Sequence, residues 1–423
     1  MTRFDIHRDP VLGEEVWLGV TSTGLRLRLL PTRRFREAVV VLAVRYGSTD
    51  VCFTDDDGPH RSPEGVAHYL EHKLFEAEDL HVFERFARRG AQVNAATSFA
   101  RTIYWFAATS ALADNLRDLL RLVSTPHITR ENVDKERGII AQEIKTYEDA
   151  PAYRAFFDLL RCLYAEHPVR HPVAGTVESI AQIDAQELLR CHAAFYRTGN
   201  AVLAAAGPID AEEVVALAEQ STLAAGPATP STSPLDLGPP PCLRSERAMH
   251  VARPRVLLGA KDRDLIADGE ARLRRQLCTL LLLDLMFAPS SPVRERLAHD
   301  GIVDDSLTFL AMAEPTFGFA AVGGETDEPA RFADALREVL CRPLPVAVES
   351  LERARRKTLG QYVRGFESAR ALAFGHAEQG LAGVRPFLVR EILASITPEE
   401  LAARQAELFA EDGVAVAAVV GEG

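Results

Sequence analysis

Apolar residues along the chain recur in two patterns, short runs rich in Val and Ala and longer stretches in which apolar and charged residues alternate with a helical period. The short runs are too brief for buried helices and favour β-branched residues, so they predict strands. They lie at 38–47, 102–110 and 201–208 in the first half and at 255–262, 307–324 and 413–423 in the second. The longer stretches predict amphipathic helices. Together they predict an α+β fold in which helices pack on a mostly antiparallel sheet in each half.

A stretch rich in Pro, Ser, Thr and Gly separates the two halves, with the sequence AGPATPSTSPLDLGPPP. It has no hydrophobic period and too many prolines for a helix or a central strand, so it is typical of a semi-rigid linker. The predicted domains are 1–224 and 244–423, with the linker at 225–243. Because both halves show the same order of strands and helices, we expect a pseudo-duplicated protein.

Composition excludes several function classes. The 423 residues carry 48 basic and 60 acidic side chains, a formal charge of −12, and contain no basic block. Nucleic acid and anionic membranes both attract positive surfaces, so neither is expected as the main partner. The apolar run LCTLLLLDLMF at 277–287 is too short to span a bilayer and contains Asp284, so it predicts a buried helix.

The cysteines and the start of the chain bear on its location. Six cysteines are scattered without CxxC spacing, which argues against a thiolate metal site and a disulfide framework. The first residues, MTRFDIHRDPVLGEEVW, show neither a secretory apolar core nor an Arg-rich organelle presequence. A cytoplasmic location is therefore expected.

The stretch HRSPEGVAHYLEHKLFE carries the chemistry. Ser62 is a candidate N-cap and Pro63 a candidate first helical residue, so a helix is predicted to begin there. His68 and His72 are four residues apart and share one face of that helix, as two ligands of one metal would. Glu71 lies beside this face and is placed to act as a general base. The order is HxxEH, the inverse of the commoner HExxH.

A third ligand is predicted in RENVDKERGIIAQEIKTYEDAP. Glu136 and Glu143 are seven residues apart, two helical turns, and so share a face. Ile139, Ile140 and Ile144 flank that face, so it should be buried, where carboxylates are costly unless paired or bound to metal. We therefore expect Glu143 to be the third metal ligand and Glu136 to support the site.

Histidine pairs at ligand spacing also have a structural interpretation that involves no metal. A histidine pair at this spacing can arise on a surface without any metal, so HxxEH gains weight only with the capped helix and the second glutamate helix. His167 and His171 also have ligand spacing, but Pro168 and Pro172 break any helix there. They are predicted to be loop residues.

These segments resemble peptidase family M16, the inverzincins. The resemblance rests on GVAHYLEHKLFE followed by KERGIIAQEIKTYEDAP, and extends through GAQVNAATSFARTIYWF, HPVRHPVAGTVESI and the linker to nearly the whole chain. The wording EHKLFE and GIVDDSL is most similar to bacterial YmfH-like members. The resemblance implies zinc on His68, His72 and Glu143. It also implies Glu71 as the catalytic base and Glu136 as the supporting carboxylate.

The resemblance also implies how substrate is bound. The NAATS segment corresponds to the family's substrate-binding edge strand, with Asn94 and Ala95 at the matching positions. An extended peptide would add there as a further strand. The family's two domains form a clamshell that admits short or unfolded peptides, so the implied activity is that of a zinc endopeptidase.

One departure from the family pattern concerns an Arg and a Tyr of the second domain. Alignment of LAHDGIVDD on its glycine places Ala298 and Asp304 at those positions. Arg294 or Arg296 would restore the Arg in a shifted register, but Tyr362 is the only tyrosine after the linker. We therefore expect a catalytic subunit that works with an M16-like partner, or as a homodimer. The rival hypothesis is a non-catalytic M16-like scaffold or peptide-binding subunit, and the intact HxxEH argues against it.

Overall fold

The computed structural model describes residues 4–76 and 82–422. The strands of the described part are β1 Asp5–Asp9, β2 Glu14–Val20, β3 Arg26–Pro31, β4 Ala38–Val44, β5 Cys52–Asp55, β6 Gly58–Arg61, β7 Gln92–Thr97, β8 Thr102–Ala108, β9 Ala201–Gly207, β10 Arg244–Met249, β11 Arg255–Lys261, β12 Thr308–Ala313, β13 Gly318–Glu325 and β14 Ala415–Gly421. Every run predicted to be a strand contains one or two of them. The sequence patterns did not predict β1–β3, the β5–β6 hairpin or β10.

Helices fill the intervals between the strands. They are α1 Val66–Leu74, α2 Val82–Arg88, α3 Leu112–Ser124, α4 Arg130–Glu148, α5 Pro151–Leu163, α6 Val177–Ile180, α7 Ala185–Phe195, α8 Ala211–Ala218, α9 Gly269–Phe287, α10 Pro292–His299, α11 Pro329–Cys341, α12 Val348–Gly365, α13 Ala369–Leu381, α14 Leu388–Ser395 and α15 Pro398–Leu408. The α+β class predicted from the sequence is confirmed.

The first compact unit comprises Met1–Ile144, Pro172–Ser233 and Tyr362–Phe387. Its seven-stranded sheet has the order β1-β2-β3-β9-β4-β8-β7, and only β3 and β9 pair in parallel. Strand β4 is buried on both faces because its alternate side chains enter different cores. This explains why its sequence is continuously apolar, without the alternation of a half-exposed strand.

The second compact unit comprises Lys145–His171, Pro234–Gln361 and Leu388–Gly423. Its five-stranded sheet has the order β10-β14-β11-β13-β12, and only β10 and β14 pair in parallel. This order matches five consecutive strands of the first sheet, from β3 to the edge strand β7 (β3-β9-β4-β8-β7), and the parallel pair occupies the same place in both. The predicted duplication and the mostly antiparallel sheets are therefore confirmed.

Each unit contains a helix that comes from the other half of the chain, so neither unit is one continuous segment of the sequence. Helix α5 comes from the first half of the chain yet packs on β11 and β14 of the second sheet. Helix α13 comes from the second half and packs on β3, β4 and β9 of the first. The Arg26 guanidinium donates to the Gly380 carbonyl at 2.8 Å, at the carbonyl end of α13 where a cation is favoured.

The predicted linker is irregular in structure and is held near its middle by contacts of Thr232 and Asp236. In the first unit, Thr232 N donates to Cys52 O at 2.7 Å. In the second unit, the Asp236 carboxylate pairs with Lys261, which is almost fully buried, and accepts from Glu166 N at 3.0 Å. These contacts fix a segment that has no regular hydrogen-bonding pattern of its own.

The expectation of no disulfide is wrong for one pair of cysteines. Cys162 at the end of α5 and Cys242 just before β10 form a disulfide, with Cα atoms 4.7 Å apart. Their separation of 80 residues gave no spacing signal, because only packing of α5 beside β10 brings them together. The other four cysteines are free.

The apolar run near Asp284 is a helix, as predicted. Most of α9 from Leu277 onward is buried, and the Asp284 carboxylate pairs with Lys357. By length and composition, the stretch 269–299 contains an 18-residue window that is apolar enough to cross a membrane, but 61% of that window is buried inside the structure. Such burial is typical of a core helix.

Candidate metal centre

Helix α1 carries both histidines, and its start differs from the prediction. It begins at Val66 behind Gly65, not at Pro63 behind Ser62. Gly65 has φ +92°, and a Cβ there would lie 2.5 Å from the Ala174 carbonyl oxygen, so only glycine fits this close approach. Ser62 is buried instead, with its hydroxyl 3.3 Å from Cys191 Sγ.

Helix α1 is fixed against the first residues of α4, which carries the two glutamates. The Tyr69 hydroxyl donates to Val133 O at 2.5 Å, and the fully buried Lys73 ammonium donates to Asn132 O at 2.9 Å. Both bonds use residues that alternate with the histidines along α1. They set the depth at which the histidine face meets α4.

The three predicted ligands converge on one point of the first unit. His68 Nε2 lies 3.6 Å from Glu143 Oε1, and His72 Nε2 lies 3.5 Å from Glu143 Oε2. The two imidazole rings meet edge to face with centroids 4.6 Å apart. One ligand atom from each residue lies within 4.8 Å of the others.

This donor set fits zinc. Two ligand atoms at about 2.0–2.1 Å from a tetrahedral zinc ion lie about 3.3 Å from each other. The 3.5 and 3.6 Å separations between the imidazole nitrogens of His72 and His68 and the Glu143 oxygens come close to that edge. Two imidazoles and one carboxylate also form a known catalytic zinc set, which leaves a fourth position open.

Glu136 contacts the other ring nitrogen of His72. His72 Nδ1 lies 3.0 Å from Glu136 Oε1. If Nδ1 carries the hydrogen and donates it to this carboxylate, Nε2, which faces Glu143, keeps a lone pair that can bind a metal. Lys73 Nζ lies 3.9 Å from the second oxygen of Glu136 and 2.5 Å from Glu76 Oε1. The hydrogen bond from His72 lowers the pKa of Glu136 and keeps its carboxylate ionised.

Burial and charge act in opposite directions on the two histidines. Burial lowers the pKa of His68 to about 4, helped by its neighbour His72, so its imidazole is neutral and able to bind a metal. Burial also lowers the pKa of His72, but the Glu136 hydrogen bond and the charges of Glu71 and Glu143 outweigh it and raise that pKa overall. His72 is thus the histidine at which protons compete with a metal.

Glu71 is buried beside the ligands and has a fixed orientation. Only 8% of its surface is exposed, and burial raises its pKa. The Thr97 hydroxyl donates to Glu71 Oε2 at 2.8 Å. The hydroxyl and the backbone N–H of Thr97 both interact with the carboxylate, which lies in a low-dielectric environment that favours proton uptake.

The glutamate helix is buried in part. Ile140 and Ile144 are buried as predicted, at 0% and 3% exposure. The prediction for Ile139 is wrong, since 53% of it is exposed. At 100° per residue, Ile139 and Ile140 flank the line of Glu136 and Glu143 on opposite sides, and only the side of Ile140 and Ile144 faces the core.

Asn94 and Ala95 lie on β7, which is one of the two edge strands of the first sheet. Ser98 N donates to Arg101 O at 2.8 Å in the turn after β7. Pairing alternates along antiparallel strands, so the backbone groups of Ala95 point away from β8. The Ala95 N–H instead donates to Oδ1 of the exposed Asn94 side chain, at 2.8 Å.

His167 and His171 take no part in this cluster, as predicted. His167 is buried and caps a short 3-10 turn, where its Nδ1 accepts from Val169 N at 3.1 Å. Burial lowers the pKa of His167 to about 4. Its role is structural.

The second-half residues considered for the expected Arg and Tyr positions mostly make local contacts. Arg294 donates to Phe287 O and to Asp304 O, both at 3.1 Å. The Asp304 carboxylate, at the expected tyrosine position, accepts from Arg253 at 2.9 Å. Arg296 is exposed on α10. The tyrosine in question, Tyr362, packs on Phe366 with ring centroids 5.2 Å apart, within the first unit.

Two residues of the site were missed by the sequence analysis. Lys73 carried a signal, since a lysine next to the second motif histidine on a buried helix face needs a carboxylate partner. Thr97 carried none, because it is 26 residues from Glu71 and only the sheet brings the two together.

Comparison with known proteins gives two family matches. Residues 59–177 match the family model described as Insulinase (Peptidase family M16). Residues 182–357 match the model described as Peptidase M16 inactive domain. The first match contains all five residues predicted to form the metal centre.

Individual relatives extend the likeness over the whole chain. The uncharacterized zinc protease YmfH of Bacillus subtilis (strain 168) is 35% identical over 97% of this chain and 97% of its own. An M16-like peptidase structure from Alicyclobacillus acidocaldarius has a TM-score of 0.92 at 34% identity, covering 99% of both chains. An M16 inactive-domain structure from Pseudomonas fluorescens, at 18% identity and a TM-score of 0.76, covers 96% of this chain and 98% of its own and shares the fold.

Proposed function

The chain belongs to peptidase family M16, and from this premise we propose that it is a zinc-dependent endopeptidase that cleaves short or unfolded peptides. One observation carries the proposal. His68, His72 and Glu143 bring three ligand atoms within 4.8 Å of one another, beside the buried carboxylate of Glu71. Histidines that only stabilise a core would not need a ligand-like carboxylate on one ring nitrogen of His72 and a second carboxylate, Glu136, on the other.

Each residue has a distinct role in the proposed reaction. A zinc ion held by His68, His72 and Glu143 would supply Lewis acidity toward the scissile carbonyl and make water more acidic. Glu71 accepts the proton of the attacking water and later returns it to the leaving amine. Glu136 orients the His72 ring and carries no proton in the reaction.

The free edge of β7 is the proposed binding surface for the substrate backbone. The N–H and C=O of Ala95 face outward, and an extended peptide that replaces Asn94 Oδ1 as the acceptor for that N–H would gain main-chain hydrogen bonds there. The Asn94 amide would then lie beside the peptide. Recognition through main-chain atoms demands little of the substrate sequence. It does demand an extended backbone, which folded proteins do not offer.

A partner subunit is the second part of the proposal. The Arg294 guanidinium already donates to backbone carbonyls, so it does not supply the Arg of the family pattern. The position of the Tyr is occupied by Asp304, which pairs with Arg253. Arg296 is exposed and is the remaining candidate for the arginine. We propose that an M16-like partner, or a second copy of this chain, completes the active enzyme.

The test combines zinc analysis with a peptide assay. The purified chain should hold about one zinc per protomer and cleave quenched fluorescent peptides, more strongly with the product of an adjacent M16-like gene. Glu71→Gln should retain zinc and lose activity, because the amide cannot accept the proton. Glu131→Gln, at an exposed position in the first turn of α4, is the matched control and should behave as wild type.

Two results would contradict the proposal. Loss of zinc in Glu71→Gln would make Glu71 a ligand instead of a base. Full activity of the lone monomeric chain, unchanged by any partner, would remove the need for pairing.

The second candidate function is a non-catalytic M16-like scaffold or peptide-binding subunit. The match of residues 182–357 to a family model named as an inactive domain keeps it open. A zinc-free protein that binds peptides but cleaves none would favour it.

A cytoplasmic location also stays a prediction, and the Cys162–Cys242 disulfide removes part of the cysteine argument for it. Fractionation of cells that express the native chain would decide the location.

A further inference from the structure

Among the residues that the structure describes, Thr97 donates a side-chain hydrogen bond to the carboxylate of Glu71. Thr97 is the last residue of β7, and its partner across the pair is Thr102 of β8. The Thr97 hydroxyl lies 2.8 Å from Glu71 Oε2 and 3.3 Å from the Thr102 hydroxyl. It therefore lies between the proposed base and the core of the sheet.

The hydrogens of this cluster can be assigned by counting donors. The buried Thr102 hydroxyl lies 2.9 Å from Tyr46 O, and a carbonyl can only accept, so the Thr102 hydrogen points there. An ionised Glu71 also only accepts, so the single Thr97 hydrogen points to Oε2. No hydrogen then remains for the contact between the two threonine hydroxyls. Glu71 Oε2 is therefore committed to the Thr97 hydroxyl, and the backbone N–H of Thr97 also interacts with this carboxylate.

The turn that carries Thr97 is held firmly. Phe99 O accepts from Thr49 N at 2.9 Å and from the Thr49 hydroxyl at 2.7 Å. A Cβ on Gly47 would lie 2.4 Å from the same oxygen, so the backbone of the turn packs against bare glycine. Arg101 pairs with Glu378 of α13 at 2.7 Å. Thr97 thus starts from a backbone that moves little when its side chain changes.

Thr97 also belongs to the edge proposed to bind substrate. By the alternation along β7, its backbone groups point to the same open side as those of Ala95, two residues earlier. One residue therefore connects the strand that aligns the peptide with the carboxylate that receives the proton. A shift of β7 would move both together.

On this basis, and resting on the proposed peptidase function, we propose that Thr97 is a positioning residue that locks the Glu71 carboxylate in the orientation in which Oε1 faces the attacking water. It holds Oε2 through a hydrogen bond and takes no part in proton transfer. Its side chain fixes the base, while its backbone keeps the base in register with the peptide on β7.

The test uses Thr97→Val, which keeps the shape and removes the hydroxyl, and Thr97→Ser, which restores it. In the zinc-loaded protein with its partner, kcat of Thr97→Val should fall about 10- to 100-fold, the effect of one lost hydrogen bond to a charged group. KM should stay within about twofold, because main-chain binding is unchanged. Thr97→Ser should recover kcat to within about threefold of wild type. Thr308→Val, the same change on the edge strand β12, is the control and should be unaffected.

A readout independent of activity accompanies the kinetics. Crystal structures of the zinc-loaded wild type and Thr97→Ser should show one Glu71 orientation, and Thr97→Val should show a rotated or split carboxylate. An ordered, unmoved Glu71 in Thr97→Val, or a kcat within threefold of wild type, would overturn the positioning role. Loss of zinc or of folding in both variants would also overturn it and assign Thr97 a structural role. If the wild type cleaves nothing, the proposed function fails, and the crystal structures alone decide the role of Thr97.

Discussion

The bond between His72 and Glu136 gives the sharpest prediction for zinc binding. Glu136→Ala removes the carboxylate 3.0 Å from His72 Nδ1, while Glu136→Gln keeps an oxygen that can accept but removes its charge. Loss of such a supporting carboxylate typically weakens metal binding 10- to 100-fold, which corresponds to about 1.4–2.7 kcal/mol. We expect Glu136→Gln near the lower limit and Glu136→Ala near the upper one.

The structure indicates that these variants will fold. Lys73 keeps its bonds to Glu76 and to Asn132 O when Glu136 is changed, because its contact with Glu136 is the longest of the three at 3.9 Å. A weaker zinc affinity would therefore report on the His72 ring and not on a damaged helix. Thermal unfolding of the zinc-free proteins checks this point.

The assay is a competition titration against a chromophoric zinc chelator at neutral pH. Glu131→Gln on the same helix is the control for loss of one acidic charge and should match wild type. If Glu136→Ala binds zinc within twofold of wild type while Glu143→Ala loses it, the supporting role of Glu136 is refuted. If Glu143→Ala also binds normally, the ligand set itself is wrong.

Three further outcomes are expected. Zinc affinity should fall about tenfold per pH unit as the pH drops below the raised pKa of His72, because zinc needs a neutral imidazole. A fall of about a hundredfold per pH unit above about pH 5 would mean that both histidines take up protons there. That result would contradict the lowering of the His68 pKa to about 4. Lys73→Met should lower the free energy of unfolding in urea by about 1–3 kcal/mol, since its carboxylate and carbonyl partners lose their donor. Gly65→Ala should cost about 1–3 kcal/mol through strain at positive φ, whereas Gly138→Ala, in open space on α4, should be neutral or stabilising; equal stability of the two would refute the close-approach argument.

Local sequence determined much of the fold and the main line of the site. Backbone geometry sets periods of about two residues in strands and 3.6 in helices, so the runs around β4, β8, β9, β11 and β14 could be identified without any partner. The same geometry places His68 and His72 on one face of a helix and Glu136 in line with Glu143. Residue types then indicated the chemistry, since two imidazoles and a carboxylate are zinc ligands.

Only the tertiary structure decided which distant groups meet. Thr97 reaches Glu71 because α1 packs on β7, and Cys162 reaches Cys242 because α5 packs on the second sheet. Helix α1 starts late because Gly65 lies against the backbone of a loop far along the chain. Local periodicity carries no information on such contacts. They depend on how helices and sheets bury their apolar faces against one another, and the sequence specifies that through the whole chain at once.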